Sequence, residues 1–410
     1  MNRFRLQFTL SFILFAVVLS PLTATGQEPV KLGFAYVFSG RLAHYGFGAK
    51  QGAELAIEEV NEAGGILGRK VVGVYADTQL KPEVGVKVAR KLIFEDKVDA
   101  ILGIVSSGVI SAVAPVANEL GTPLIGTLAM TPDITGKICN PYTFRVSQNG
   151  PQNLKGAAIL ASKTNAKTWS TLGPDYLFGY QCWEYFQKYL GKMRPDVKFM
   201  TEDKIAFAPV TTVDFRPYIE KIMAAKPEGV LVSLYGGNLI DFVRQATELG
   251  MWRKMPVTIL NLAYSADVML GLGLDMPKGL WLGGLYWFQG NSSPANTKFV
   301  KSYTGRYRVF PDYNAQGAYS GVKVYAAACK LAGTTEKHAV IKALEGLTID
   351  LPAGTTTIRK EDHQAVYDGV WGVSSEFDGK LRIRSLKPLR IFSGAEITRP
   401  VEETECKMVR

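Results

Sequence analysis

The stretch KLGFAYVFSGRLAHYGFGAKQGAELAIEEVNEAGGILGRKVVGVYAD, residues 31–77, decides the fold class of this chain. Its two ends, 31–38 and 71–77, are apolar runs of the length and composition that buried strands have. Between them, residues 48–65 place small and apolar side chains at the spacing of one helix face, and a Gly-Gly pair ends the pattern. The stretch therefore predicts a βαβ unit with two parallel strands.

The same alternation of strand and helix patterns continues along most of the 410 residues. Predicted strands at 99–105 and 123–128 complete a first α/β unit. The alternation begins again after residue 150, and it leads to helical patterns at 295–345 and a strand-rich end at 356–395. No low-complexity linker separates the halves. The sequence thus predicts an α/β protein of two lobes that several short crossovers join.

The first 26 residues have the features of a secretory signal peptide. Arg3 and Arg5 precede a short apolar run, residues 8–19, and small residues at 24–26 offer a cleavage site. The run is too short for a spanning helix, and no later run is long enough for one. No cysteine stands at the cleavage point, so we expect an exported protein without a lipid anchor.

Charge and composition argue against several classes of function. The formal net charge is +10, but the basic residues are scattered, so we expect no nucleic-acid partner. A mild positive field suits an anionic solute. The three histidines lack the spacing of metal ligands, and no Gly-rich phosphate loop follows a strand. We therefore expect no metal and no cofactor.

The four cysteines leave the disulfide pattern open. An exported chain permits disulfides, and four cysteines allow three complete pairings, among which the sequence does not choose. Cys329 lies in a helical pattern, which indicates a buried thiol. The set consists of Cys139, Cys182, Cys329 and Cys406.

The segment GIVSSGV, residues 103–109, places two serines at a predicted strand-to-helix turn. A hydrolase nucleophile needs a base, and His44 is the best placed histidine, but the first glycine of the G-x-S-x-G elbow is missing. A secreted serine hydrolase that uses Ser106 and His44 stays as one alternative. Simple capping of the helix is another. The third is an anchor for a carboxylate, to which Ser106 and Ser107 add hydroxyl donors.

Ordered motifs over residues 29–395 resemble the periplasmic solute-binding proteins of ABC importers, of the leucine/isoleucine/valine-binding type. The motifs are FAYVFSGRLAHYGFGAKQGAELAIEEVNEAGGILGRKV, YADTQLKPEVGVKVARKLI, VDAILGIVSSGV, GTPLIGTLAMTPDIT, PYTFRV, DYLFGYQ and YGGN. The resemblance implies the class I periplasmic binding protein fold, in which three crossovers join two Rossmann-like lobes with parallel central sheets. It places residues 27–147 and 279–364 in an N-terminal lobe. Residues 148–278 and 365–410 then form a C-terminal lobe.

The same resemblance implies a function. The chain would be a non-enzymatic, monomeric receptor in the periplasm that binds a small carboxylate-bearing solute between its lobes and delivers it to a membrane permease. A sensor that presents its ligand to a membrane receptor is the alternative among binding proteins.

The resemblance also implies ligand-binding positions. Ser106 or Ser107 would hold the ligand carboxylate, and the backbone of Leu128 would share this task. Met130 replaces a residue that carries a hydroxyl in amino-acid binders, a group that Thr131 could supply. The remaining implied positions are Tyr45, Phe178, Tyr180, Asn238 and Tyr264.

One departure from the family pattern concerns the ligand's amine. Amino-acid binders of this type hold the ammonium with an acid in the loop after PVTIL, but residues 261–265 read NLAYS here. A buried ammonium without a partner would cost several kcal/mol. The sequence therefore favours an aromatic or other apolar acid that lacks an ammonium. The alternative is that Asp175 or another acid takes that role.

Overall fold

Two separate β-sheets organise the chain in a computed structural model that describes residues 27–255 and 257–408. The predicted leader, residues 1–26, lies outside the described residues. The first sheet has five parallel strands in the order β2-β1-β3-β4-β5. Its strands and helices are β1 (Val30–Tyr36), α1 (Ala43–Glu62), β2 (Val71–Asp77), α2 (Pro82–Phe94), β3 (Ala100–Gly103), α3 (Ser107–Glu119), β4 (Leu124–Gly126) and β5 (Thr143–Arg145).

The second sheet has eight strands, of which the six before residue 285 are parallel. The elements that build this part are α4 (Gly150–Ser162), β6 (Thr168–Pro174), α5 (Leu177–Met193), β7 (Lys198–Phe199), β8 (Ala206–Ala208), α6 (Arg216–Ala225), β9 (Gly229–Val232), α7 (Gly236–Glu248), α8 (Met251–Lys254), β10 (Val257–Leu260), α9 (Ala266–Leu272) and β11 (Trp281–Gly284).

The last third of the chain serves both sheets. Its elements are α10 (Pro294–Tyr307), α11 (Tyr313–Ala332), α12 (Lys337–Leu344), β12 (Thr348–Leu351), β13 (Gly354–Ile358), β14 (Ala365–Val366), β15 (Gly369–Asp378), β16 (Ile383–Phe392) and α13 (Gly394–Ile397). Helices α1 and α11 cover one face of the first sheet, and α2 and α3 cover the other. Strands β12–β14 form a small antiparallel sheet. Strands β15 and β16 add an antiparallel edge to the second sheet.

The chain passes between the sheets three times: after β5, after β11 and between β14 and β15. The prediction of a passage near residue 278 is wrong, because Trp281–Gly284 is a strand of the second sheet. Trp281 pairs with Ile259 of β10 on one side and with Val373 of β15 on the other. The second lobe therefore contains one strand more than the sequence predicted.

A disulfide joins Cys139, near the end of the first sheet, to Cys406 near the end of the chain. Cys182 and Cys329 are buried free thiols, which confirms the prediction for Cys329. The disulfide ties the end of the chain, which the resemblance assigns to the second lobe, to the first lobe. Arg399 contacts both lobes, since its guanidinium donates to the carbonyl of Pro132 and to the hydroxyl of Tyr185.

A buried polar network surrounds the passages between the sheets. Asn149 caps α4 in a reciprocal pair with Gln152, and the Gln364 side chain bonds to both of these residues and to the carbonyl of Ser147. These side chains fix the point where the chain leaves the first lobe. Among residues 27–255 and 257–408, no helix combines the length and the apolarity needed to cross a membrane.

Candidate functional site

The turn from β3 into α3 carries the two serines to the space between the lobes. Ile104 has a φ of 73°, a left-handed conformation that is strained for a β-branched residue. Its N–H donates to the carbonyl of Ala35, and its own carbonyl accepts from the N–H of Ala129, so the neighbouring strand and loop hold the strained turn in place.

The two serines of this turn have different roles. The Ser106 hydroxyl accepts a hydrogen bond from the N–H of Val109 and so caps α3. The Ser107 side chain lines an inner cavity between the lobes, and its hydroxyl has no hydrogen-bond partner in the described part of the chain. The arrangement therefore assigns capping to Ser106 and leaves Ser107 available to a ligand.

The inner cavity lies between the two lobes and encloses about 340 Å³, a figure that includes space open to solvent. Five aromatic side chains, five aliphatic ones and one serine form its walls. They are Tyr45, Val105, Ser107, Leu128, Met130, Tyr176, Phe178, Tyr235, Leu262, Leu285 and Tyr313. None of these residues carries a formal charge at neutral pH.

The five aromatic rings form a continuous arc across both lobes. The ring centroids of Tyr313 and Tyr45 lie 5.9 Å apart, and those of Tyr45 and Tyr235 also lie 5.9 Å apart. Phe178 continues the arc at 5.7 Å from Tyr235 and 6.0 Å from Tyr176. The rings therefore offer a flat ligand several faces and edges at stacking distance.

The tyrosine hydroxyls of the arc are paired with each other. The Tyr45 and Tyr313 oxygens lie 2.8 Å apart, and those of Tyr176 and Tyr235 lie 3.0 Å apart. Burial raises the pKa of Tyr235 to about 12 and holds the pKa of the other three well above 10, so all four keep their protons at neutral pH. Each pair uses one hydrogen internally, and its second hydrogen is left to donate to a ligand.

Backbone donors gather at one end of the cavity. The amide N–H groups of Ser107 and Gly108 begin α3 and have no acceptor among the described residues. The same holds for the N–H groups of Leu128 and Met130 on the adjoining loop. Three of these N–H groups, those of Ser107, Leu128 and Met130, belong to residues that line the inner cavity. With the Ser107 hydroxyl and the positive end of a helix dipole, they suit a carboxylate.

An outer cavity adjoins the inner one and opens towards solvent. Val105, Tyr176 and Tyr235 line both cavities, and the outer one holds about 670 Å³ of space. Ser106 and Asp175 line it as well. The acid that the sequence offered for an ammonium therefore stands outside the inner cavity, where its carboxylate accepts from the Tyr180 hydroxyl.

Five sequence-predicted positions line the inner cavity: Tyr45, Ser107, Leu128, Met130 and Phe178. Ser106 lines only the outer cavity.

Two of the predicted aromatic positions lie elsewhere. Tyr180 is 46% exposed and packs edge-on against Phe207, outside the inner cavity. Tyr264 is buried and stacks on Trp287 at 4.0 Å, while Leu262 of the same loop faces the ligand space.

The two predicted polar positions also point away from the inner cavity. Asn238 lies behind it, where its side chain donates to the carbonyl of Val210 and accepts from Arg41. The Thr131 hydroxyl accepts from the N–H of Asp133, and Thr131 does not line the inner cavity.

Sequence reasoning missed six wall residues. Tyr176 and Tyr235 follow strands β6 and β9, and aromatic residues at the carboxyl ends of parallel strands were the signal that could have selected them. Tyr313 gave no such signal, because it reaches the site through the packing of α11 on α1. The remaining three are Val105, Leu262 and Leu285.

The structure gives the hydrolase alternative no support. The Ser106 hydroxyl is engaged as a helix cap, while His44 Nε2 lies 3.7 Å from a carboxylate oxygen of Asp267 and the His44 ring packs on Tyr45. No contact in the described residues brings Ser106 and His44 together as nucleophile and base.

The lobes touch each other beside the cavity. Arg41 of the first lobe pairs with Asp241 of the second, and His44 meets Asp267 in the same way. Gly236 has a φ of 51°, and a side chain there would meet the Tyr45 hydroxyl across the cleft. These contacts close the space between the lobes around the inner cavity.

Comparison with known proteins agrees with this architecture. The model of the family described as periplasmic binding protein matches residues 29–379. The chain belongs to this family. The match confirms the resemblance to the branched-chain amino acid type and the two-lobed fold. Members of the family are exported solute-binding proteins of ABC transporters and are typically not enzymes.

The relatives span nearly the whole chain. The Leu/Ile/Val-binding protein homolog 4 of Brucella melitensis is 24% identical over 96% of both chains. An amino acid ABC transporter substrate-binding protein from Pseudomonas fluorescens Pf-5 superposes with a TM-score of 0.81 at 25% identity, and the match covers 92% of this chain and 99% of that one.

Two solved structures of similar fold contain aromatic acids. A solute-binding protein from Rhodopseudomonas palustris BisB5, in complex with 3,4-dihydroxybenzoic acid, gives a TM-score of 0.80 at 22% identity over 90% of this chain and 98% of that one. A solute-binding protein from R. palustris, in complex with benzoate, gives a TM-score of 0.79 at 21% identity, and the match covers 92% of this chain and 99% of that one. At 22% and 21% identity, the similarity to these two structures establishes a shared fold.

Proposed function

We propose that this protein binds an aromatic or similarly flat apolar carboxylic acid that lacks an ammonium group, and that it delivers this acid to a membrane permease. One observation carries the proposal: the walls of the inner cavity are aromatic and aliphatic, with a group of hydrogen-bond donors at one end and no acidic side chain. This lining offers a place to the ligand's carboxylate and to its ring, and none to an ammonium group.

The carboxylate is assigned to the donor end. Ser107 supplies a hydroxyl and an N–H group at the start of α3, and the N–H groups of Leu128 and Met130 come from the adjoining loop. Hydrogen bonds to an ionised carboxylate are about twice as strong as neutral ones. A helix N-terminus adds a partial positive charge. The anion is thus held without a cationic side chain in contact with it.

The ring is assigned to the aromatic arc. A flat apolar body between Tyr45, Tyr235 and Phe178 would bury most of its surface, at roughly 25 cal/mol per Å². The free hydrogen of each tyrosine pair can meet a hydroxyl on the ring. Mono- and dihydroxylated benzoic acids therefore fit the polarity of the cavity at both ends.

An α-ammonium has no partner in the inner cavity. Asp175 lies in the outer cavity, and neither of the two other nearby acids lines the inner cavity. Asp267 accepts from Ser265 through Oδ1 and has its Oδ2 3.7 Å from His44 Nε2, whereas Asp312 caps α11. Burying an unpaired ammonium costs several kcal/mol. This desolvation cost weakens the binding of leucine, valine and phenylalanine relative to that of acids without an amine. The bound aromatic acids in the two R. palustris structures support the same choice.

The remaining parts of the proposal follow from the family. Residues 1–26 act as a leader for export to the periplasm, and the mature receptor works as a monomer without cofactor or catalysis. We favour transport over sensing, because the similar proteins are named as components of ABC transporters.

A thermal-shift panel on the mature protein tests the proposal. The first set contains benzoate, 4-hydroxybenzoate and 3,4-dihydroxybenzoate, and the second contains leucine, isoleucine, valine and phenylalanine. A ligand at 100 times its Kd stabilises the folded state by about 2.7 kcal/mol. We expect the melting temperature to rise with the first set only. A rise with the amino acids alone would overturn the proposal.

A further inference from the structure

Arg145 is a fully buried cation beside the inner cavity. It ends β5 within the PYTFRV motif, and its side chain lies behind the loop that carries Leu128 and Met130. Its guanidinium donates from Nη1 to the carbonyl of Ala129 and from Nη2 to the carbonyl of Thr131. No carboxylate among the described residues forms an ion pair with it, and its Nε has no hydrogen-bond partner there.

The charge of Arg145 persists at neutral pH. Burial, with the nearby charge of Arg399 as a second cause, lowers the pKa of Arg145 to about 9. A buried charge without an anionic partner is costly. The backbone carbonyls satisfy its hydrogen bonds without neutralising it, and the carboxylates of Asp133 and Asp362 act on it only through space. A positive charge that no carboxylate of the described residues contacts therefore lies behind the loop of Leu128 and Met130.

The peptide unit between Ala129 and Met130 connects this charge to the cavity. In a planar trans peptide, the carbonyl of one residue and the N–H of the next point in opposite directions. Arg145 donates to the oxygen of this peptide unit. The N–H of the same unit belongs to Met130, a residue that lines the cavity, and this N–H has no backbone acceptor among the described residues. A charged donor on the oxygen polarises the peptide and strengthens its N–H as a donor.

We infer that Arg145 is a positioning residue that supplies the countercharge for the ligand's carboxylate through the Ala129–Met130 peptide. The inference rests on the proposed function, since it requires an anionic ligand at this end of the cavity. It gives the site a means to select an ionised carboxylate over a neutral group of the same shape, with no cation in direct contact with the ligand.

Three variants separate this role from a merely structural one. Arg145→Met removes the charge, and Arg145→Lys keeps it. Arg399→Met is the control, because Arg399 is also a buried cation, and its partners lie outside the cavity: the carbonyls of Pro132 and Glu403 and the hydroxyl of Tyr185. Calorimetry at pH 7.5 measures the Kd of benzoate and of benzamide, its neutral analogue, for each protein.

We expect Arg145→Met to weaken benzoate binding by about tenfold or more, and to lower the preference for benzoate over benzamide by a similar factor. Arg145→Lys should retain most of that preference, and Arg399→Met should leave it unchanged. A folded Arg145→Met protein that binds benzoate within twofold of the wild type would overturn the inference. Equal losses for both ligands would do the same, because they indicate a structural role.

A measurement on the unmodified protein applies if the variants do not fold. With ¹⁵N-labelled methionine, the amide proton of Met130 should move downfield when benzoate binds, as expected for a charge-assisted hydrogen bond. An unmoved Met130 resonance in benzoate-saturated protein would refute the inference. If the wild type bound no aromatic acid at all, the proposed function itself would be wrong. If it bound benzoate but the Arg145→Met protein kept the preference for benzoate over benzamide, only the inference about Arg145 would be wrong.

Discussion

Substitution of the two adjacent serines separates ligand binding from helix capping. Ser107→Ala removes a cavity-facing hydroxyl that has no partner in the described residues, so the free energy of unfolding should change by no more than about 0.5 kcal/mol. A hydrogen bond to a charged group contributes about 1.5–3 kcal/mol. The Kd for an aromatic carboxylate should therefore rise by roughly tenfold to hundredfold.

Ser106→Ala is the matched control, with the opposite expected result. Its hydroxyl caps α3 through the N–H of Val109, and loss of such a cap costs about 1 kcal/mol of stability. Its Kd should stay within about threefold of the wild type. Calorimetry with 4-hydroxybenzoate and thermal unfolding without ligand measure the two effects. If Ser106→Ala lost affinity and Ser107→Ala lost only stability, the assignment of the two serines would be refuted.

Four further predictions concern the contacts between the lobes and the cysteines. Arg41→Ala removes the pair with Asp241 across the cleft, so the unliganded protein should open, with a larger radius of gyration in X-ray scattering and a severalfold weaker Kd. The neighbouring Asp267 carboxylate, 3.7 Å from Nε2, raises the pKa of His44 above 6.5. Because the folded value is the higher one, this contribution to stability is complete below about pH 6.5 and is lost as the pH rises through the raised pKa. His44→Gln should thus flatten the dependence of the melting temperature on pH between 6 and 8, and an unchanged slope would contradict the pairing. Finally, a thiol reagent should not modify the native oxidised protein, because Cys182 and Cys329 are buried and burial raises the pKa of Cys182 to about 12. In denaturant, the same reagent should modify two thiols per chain. Cys139→Ser combined with Cys406→Ser should cost about 2–4 kcal/mol of stability.

The βαβ architecture could be predicted because its signals are local. The apolar runs of β1 and β2 and the spaced small residues of α1 each act over a few positions. The lobe to which β11 belongs could not be predicted in this way. Its apolar run suits either sheet, and the choice is made by pairing with the preceding strand β10 on one side and with β15, which lies far away in the sequence, on the other.

The site was predictable where a motif fixes a turn, and less so where a side chain's direction matters. Phe178 and Tyr180 lie two residues apart on α5, and a helix turns by about 100° per residue, so the two rings face nearly opposite sides. Phe178 faces the cavity, and Tyr180 faces solvent. Tyr313 enters the cavity because α11 packs closely on α1, where Gly52 touches the backbone of Ala315.

The central claim is that the cavity accepts a carboxylate and has no partner for an ammonium. Calorimetry with two matched pairs tests it most directly: phenylalanine against 3-phenylpropanoate, and leucine against 4-methylpentanoate, since each pair differs only by the amine. In each pair that shows binding, we expect the Kd of the acid without the amine to be lower than that of the amino acid by a factor of about ten or more. Tighter binding of either amino acid than of its deaminated partner would contradict the claim.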